Sequence, residues 1–206
     1  MAVKEGGPNP ETNARLRAVI QNAKAANMPK DNVERAIKKA SEKDSAHYKE
    51  VLFEGYGPHG IAFLVETATD NNNRTVANVR AAFNKCNGAL GTSGSVVFMF
   101  DHTCNFRVKK EDLKMDLEEF ELELIDFEVE EIFEDEDGIL IYAPFEKFGA
   151  IQKFLEDANM EILSSGFERI PTTLKKLNEA EQEEVEKLLE RLEEEDDVQY
   201  VYHNME

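Results

Sequence analysis

The sequence predicts an α+β fold: N-terminal helices followed by two α/β blocks, one inserted in the other. Three observations predict it. Apolar residues recur at helical spacing within the first 45 positions. Beyond them, short apolar and aromatic runs bounded by Gly, Pro and Asn clusters alternate with helical segments. Residues 172–206 close the chain with a strand–helix–strand pattern that completes the middle block better than its own neighbour. With 206 residues, 41% of them hydrophobic, the chain can build more than one core.

The helical part is expected over 1–45. Gly6-Gly7-Pro8-Asn9-Pro10 cannot continue a helix. Asn13 then caps a helix whose Leu16, Val19, Ile20 and Ala23 share one face, and Asn27-Met28-Pro29 ends it. Asp31 with Glu34 reads as a capping box opening a second helix, striped by Val33, Ala36, Ile37 and Ala40. Arg35, Lys38 and Lys39 lie off that stripe and face solvent. Two short helices make a poor core, so a third is wanted, and Met1-Ala2-Val3-Lys4 looks like its stub.

The second block is expected over 46–110 together with 171–206. Tyr48–Glu54 and Ile61–Thr67 read as strands joined by a Gly- and Pro-rich hairpin loop. Asp70-Asn71-Asn72-Asn73 leads into a helix with Val76, Val79 and Phe83 on one face, and Gly88 suits its C-terminal turn. Strands are expected at Ser95–Phe100 and Asn105–Val108. The order β-β-α-β is half of a split β-α-β sandwich, the ferredoxin-like arrangement. A strand near Thr172–Leu177, a helix capped by Asn178 with Glu181, and the strand Val198–Tyr202 complete it.

The inserted block is expected over 111–170. Asp116–Phe127 permits a helix through Leu117, Phe120, Leu124 and Phe127, although its alternating Glu and Leu also permit a strand. Glu130–Glu134 and Ile139–Ala143 flank Asp135-Glu136-Asp137-Gly138, a hairpin signal. Phe148, Ile151, Phe154 and Leu155 mark a helix, and Ile162–Ile170 reads as extended.

Charge is unevenly spread. Lys and Arg total 24 against 43 Asp and Glu, a net charge of −19. Such a balance argues against a generic cationic nucleic-acid coat or an anionic-membrane binder. Residues 1–45 nevertheless carry nine Lys/Arg against six Asp/Glu, and 12–30 and 71–100 contain no acidic residue. The opposite extreme is 111–137, with fifteen carboxylates and one lysine. A negative body with positive windows touches a polyanion at chosen places and is repelled elsewhere. No apolar run suits a membrane span, and the N-terminus lacks the apolar core of a secretory signal. Two cysteines, Cys86 and Cys104, make neither a disulfide framework nor a zinc pattern, which fits a reduced, cytoplasmic setting.

No catalytic constellation, metal site or cofactor site is expected. Histidines 47, 59, 102 and 203 are scattered without ligand or triad spacing. The acidic run 134–137 lacks the spaced ligands of a calcium loop and reads as a solvated turn. Gly88, Gly91 and Gly94 have suggestive spacing but follow a helix instead of opening one, against a dinucleotide site. Their exposed amides, near Arg80 and Lys85, would still suit a backbone phosphate. The candidate nucleic-acid contacts are Arg15, Arg17, Lys24, Lys30, Arg35, Lys38 and Lys39, with Arg74, Arg80 and Lys85 as a second group.

Long runs carry a resemblance. Gly6-Gly7-Pro8-Asn9-Pro10-Glu11-Thr12-Asn13, Arg15-Leu16-Arg17 and the stretch Ala23–Lys39 resemble the YebC/PmpR family. So do Glu54-Gly55-Tyr56-Gly57-Pro58, Asp70–Thr75, Gly91-Thr92-Ser93-Gly94-Ser95 and Asp197–Asn204. That family includes the mitochondrial translational activator of cytochrome c oxidase. The resemblance implies a helical domain followed by two α/β domains, one inserted in the other. It also implies a basic N-terminal arm with a Gly-His-Ser-Lys-Trp-type motif; the sequence starts after that motif and holds no Trp.

The function implied is a non-enzymatic regulator of gene expression. Two targets stay open: DNA, for a transcriptional regulator, and ribosomal RNA, for a ribosome-associated translation factor acting on stalled elongation. From another class, the α/β blocks suit a small ligand or a dimer contact. The oligomeric state is open.

Overall fold

The computed structural model describes residues 1–42, 48–136 and 138–206. The chain is α+β, with helices at the N-terminus and two four-stranded sheets. It divides into two compact units, Met1–Ser45 with His102–Glu168, and Ala46–Asp101 with Arg169–Glu206. His47, Asp137 and the junction near 45 lie outside the described residues.

In the first unit, helices α1 (Ala2–Gly6), α2 (Ala14–Ala25) and α3 (Lys30–Ser41) come first. The stub at Met1–Lys4 is therefore a real helical turn. Asn13 caps α2 by accepting from the Leu16 amide at 3.0 Å, and its own amide nitrogen donates to Ala2 and Gly7 carbonyls at 2.8 Å each. One buried asparagine thus ties α1 to the start of α2. The apolar stripe expected on α2 is rotated. Leu16 and Ala18 are buried, whereas Val19 is 52% exposed. The reason is tertiary: Ala18 joins the core of residues 104–162, and Asn22 exchanges hydrogen bonds with the Ser165 backbone at 2.6 and 2.9 Å. The capping box expected at Asp31 is also absent. Pro29 occupies the cap position, with its φ fixed near −57°, and its carbonyl accepts from Asn32 and Val33. Asp31 sits instead in the first turn, where a carboxylate favours the helix dipole.

The remainder of this unit follows β4-α5-β5-β6-α6-β7, with β4 Phe100–Val108, α5 Leu117–Leu124, β5 Glu131–Asp135, β6 Gly138–Pro144, α6 Phe148–Asp157 and β7 Ile162–Pro171. Its sheet order β5-β6-β4-β7 is that of a split β-α-β sandwich. Alternate residues Cys104, Phe106, Val108 and Ile139, Ile141, Ala143 form the buried face. Phe120 and Leu124 of α5, with Phe148, Ile151 and Leu155 of α6, cover it. The segment at 116–127 is thus helical, capped by Asp116, whose side chain accepts from the Glu119 amide at 2.8 Å. Burial pushes the Cys104 thiol up to about 12, so it stays protonated.

The second unit holds β1 (Lys49–Tyr56), β2 (Ala62–Thr69), α4 (Asn72–Lys85), β3 (Ala89–Leu90), α7 (Glu179–Glu193) and β8 (Val198–His203), with sheet order β3-β1-β2-β8. Residues 61–65 are all fully buried because both faces of β2 are covered. Phe63 and Val65 pack with Val79 and Phe83 of α4 and Val185 and Leu188 of α7. Ala62 and Leu64 pack with Val96 and Phe100 on the other face. Asn178 and Glu181 form the expected reciprocal cap of α7, at 3.0 and 3.1 Å.

Three expectations fail here for identifiable reasons. The strand at Ser95–Phe100 is not formed; Val97–Met99 is a 3₁₀ turn, and β4 begins at Phe100 and absorbs the strand expected at 105–108. Its amides are drawn elsewhere. Glu54 of β1, only 3% exposed, accepts from Gly94 at 2.6 Å and from Val96 and Val97 at 2.8 Å each. The C-terminal turn of α4 uses Asn87 at φ 56° as its left-handed residue, and Gly88 keeps an ordinary φ. Gly88 is needed for space: a Cβ there would lie 2.7 Å from the Tyr56 carbonyl oxygen. Thr172–Leu177 makes only one isolated parallel bridge, Lys175 with Met205. The bridge consists of the Lys175 amide on the Asn204 carbonyl at 2.7 Å and the Glu206 amide on the Lys175 carbonyl at 3.0 Å, whereas the Thr172 amide turns to the Met99 carbonyl at 2.9 Å, so no continuous ladder forms.

Burial disfavours the Glu54 carboxylate, but the amides of Gly94, Val96, Val97 and Ser95 outweigh it and hold its pKa below the usual value. A folded-state pKa below the unfolded one gives stability that is full above the unfolded value and lost as pH falls through the folded value. Glu54→Gln removes that contribution and turns an amide donor towards backbone donors. The expected cost is about 3 kcal/mol at neutral pH. Chemical denaturation from pH 7 to 3 should also show the variant losing less of its stability on acidification than the parent.

Candidate nucleic-acid interface

The cations singled out in the sequence fall into two kinds once their partners are known. Arg15 pairs with Glu5 at 2.6 Å. Arg17 is half-buried: its Nε donates to Glu156 at 2.9 Å, and Nη1 donates to the Pro10 and Glu11 carbonyls at 2.8 and 3.1 Å. Arg74 donates to Asp70 at 3.0 Å and to both Asp197 oxygens at 2.9 Å. These three arginines hold chain segments together.

Asp197 is the hub of the last cluster. The Thr75 hydroxyl donates to it at 2.7 Å, with Thr69 2.7 Å from Thr75. Burial opposes its charge, but the bonds from Thr75 and Arg74 prevail, so its pKa sits below the usual range. The Arg74 guanidinium is correspondingly raised, chiefly by its bond to Asp197.

The other cations are presented to solvent. Lys24 lies in the last turn of α2, and Lys38 and Lys39 in the last turn of α3, all exposed and, among the described residues, without an ion-pair partner. Lys30 is 3.6 Å from Glu34 at helical i,i+4 spacing, an exposed pair of little weight. Arg35 stays on its own helix, donating to the Asp31 carbonyl at 3.1 Å and to the Asn32 side chain. Arg35, Lys38 and Lys39 fall at i, i+3 and i+4 and share one face. No residue of α3 is buried, so that face is presented on a helix whose side chains all reach water. Arg80 and Lys85 are likewise exposed, on α4 of the second unit.

The glycine loop cannot serve a phosphate as the sequence suggested. Gly94, Val96 and Val97 already give their amides to Glu54. That carboxylate went unnoticed in the sequence; a lone acid inside the apolar run 51–54 was its one signal. Elsewhere His59 meets Glu184 at 3.0 Å, and His102 stacks on Phe145 with ring centroids 3.9 Å apart. Among the described residues no three His, Cys, Asp or Glu side chains converge to hold a metal ion, and no helix is long and apolar enough to cross a membrane.

Residues 48–205 match the family profile described as TACO1/YebC second and third domain, and residues 1–43 match the TACO1/YebC protein N-terminal domain. The chain belongs to the TACO1/YebC family. A relative from Flavobacterium johnsoniae, named a probable transcriptional regulatory protein, is 73% identical over all of this chain and 86% of its own length. One from Parabacteroides distasonis with the same name is 60% identical, over 100% of this chain and 84% of its own. The crystal structure of a conserved hypothetical protein from Aquifex aeolicus superposes with a TM-score of 0.78 at 38% identity, covering 100% of this chain and 85% of that one.

The two kinds of cation should separate in a stability measurement. Arg17→Ala is expected to cost about 1–2 kcal/mol, since Glu156 and two carbonyls lose a partner. Lys38→Ala should stay within about 0.5 kcal/mol of the parent. Urea denaturation of both variants beside the parent checks this, and equal midpoints for all three would remove the distinction.

Proposed function

We propose that this YebC-family chain regulates gene expression by binding nucleic acid, with DNA as the target, through the exposed cations of α2 and α3. The observation that carries the reading is the face of α3. In a chain of net charge −19, Arg35, Lys38 and Lys39 stand together on a solvent-exposed helix, with Lys30 on the same helix and Lys24 at the end of α2. Free cations release counterions from a duplex, whereas cations already paired do so weakly. Arg15, Arg17 and Arg74 therefore enter as secondary contacts. Arg80 and Lys85 form a second positive patch on α4. The names of the relatives supply the regulatory context.

The acidic remainder suits this role. Its negative field repels a polyanion everywhere except at the cationic helices, which orients the encounter. The same chemistry would meet ribosomal RNA, and the test separates the two targets.

Five phosphate contacts, from Lys24, Lys30, Arg35, Lys38 and Lys39, predict a log–log salt slope of about −4.5 on duplex DNA. The triple variant Lys24→Glu, Arg35→Glu, Lys38→Glu should lower affinity more than about tenfold and flatten that slope to about −1.8. Duplex binding by fluorescence anisotropy at several salt concentrations reads both quantities. Unchanged binding by the triple variant would move the contact to Arg80 and Lys85. Ribosome co-sedimentation that survives excess competing duplex would replace DNA by the ribosome.

A further inference from the structure

The most acidic stretch of the chain surrounds an apolar groove of about 660 Å³ between α5 and β5. Leu122 and Ile125 lie on one wall and are 67% and 62% exposed, while Phe120 and Leu124 of α5 are buried in the core. The opposite wall is made by Val129 and Glu130, which lead into β5, and by its first three consecutive residues, Glu131, Ile132 and Phe133. Side chains of a strand alternate between faces, so a wall of consecutive residues is the strand's edge and not one of its faces. That edge is open. Among the described residues β5 is outermost in its sheet and pairs only with β6, through Glu131–Tyr142 to Asp135–Gly138.

The charges around the groove differ from those next to it. Glu128, Glu134 and Asp135 are neutralised by Lys147, Lys110 and Arg107. Glu118, Glu121, Glu130 and Glu131, which line the groove, have no ion-pair partner among the described residues. Negative charge is thus left uncompensated where the apolar surface is exposed. An open strand edge usually carries lysine or a bulge to discourage pairing; this one carries carboxylates, which reject other acidic edges and admit a cationic one.

We infer that the α5–β5 groove is a docking site for an extended, Lys- or Arg-rich segment of another protein that alternates cationic and apolar residues. The segment adds as a strand to β5. Its apolar side chains enter against Leu122, Ile125 and Ile132, and the carboxylates of Glu118, Glu121, Glu130 and Glu131 together draw in its cations. A nucleic acid is repelled from this site. The groove is therefore independent of the cationic helices, and each reading stands or falls alone.

The test uses the full chain and a fluorescently labelled peptide of repeated Lys-Val-Lys-Leu, with anisotropy as readout. The peptide should bind in a salt-sensitive way, and amide exchange should slow across 130–135. A peptide N-methylated at alternate backbone nitrogens, and a Lys-Ser repeat of equal charge, should each bind at least about tenfold more weakly. Leu122→Lys with Ile125→Lys should give a similar loss with an unchanged unfolding midpoint, since both side chains are already exposed. Glu121→Lys with Glu130→Lys serves the same purpose if the first variant is unstable. No binding, equal binding by the methylated or Lys-Ser peptide, or full binding by both variants would overturn the inference.

Discussion

The buried carboxylate of Glu54 is the constraint around which the second unit is organised. A charged group 3% exposed is tolerable only if its oxygens are satisfied, and here the backbone of 94–97 curls inward to satisfy them. That curl sets down Val96 and Phe100 over Ala62 and Leu64, closing the face of β2 that the helices do not cover. It also stops Val97–Met99 from entering a sheet and fixes where β4 starts. Loop shape, the start of β4 and one of the two cores of this unit thus share a single electrostatic origin.

The same logic recurs at smaller scale. Asn13 binds α1 to α2, Asp197 gathers Arg74, Thr75 and Thr69, and Asn204 accepts from the Ala62 amide at 2.8 Å. These residues belong to the long runs that made the sequence look like its family. Their surroundings are structural: each is a polar group that closes a junction between segments. Their role in the fold therefore accounts for part of the motif content, while the run Ala23–Lys39 carries the surface cations of α2 and α3.

Local pattern made most elements legible. The capping box of Asn178 and Glu181, the 3.6-residue period of Phe148, Ile151 and Leu155, and the Asp-Gly hairpin signal all act within a few residues. What escaped was set at a distance. Glu54 reaches 40 residues ahead to Gly94, and Ala18 is buried by a core formed beyond residue 100. The site was legible only as charge. Periodicity put Arg35, Lys38 and Lys39 on the solvent side of a helix, but nothing local shows that Arg17 is engaged by a carboxylate 139 positions away, or Arg74 by one 123 away.

The division of the chain has a consequence for its synthesis. Strands β4 and β7 carry the polypeptide out of one unit and back into it, so the second unit is interrupted by residues 102–168. Growing from the N-terminus, the chain has every strand of the first unit's sheet before α7 and β8 exist. During that interval β2 lacks its neighbour β8, and Phe63 and Val65 lack the cover of Val185 and Leu188. Residues Arg169–Glu206 thus act as a latch: the earlier-made half of the unit is left waiting, apolar face open, until they have been synthesised.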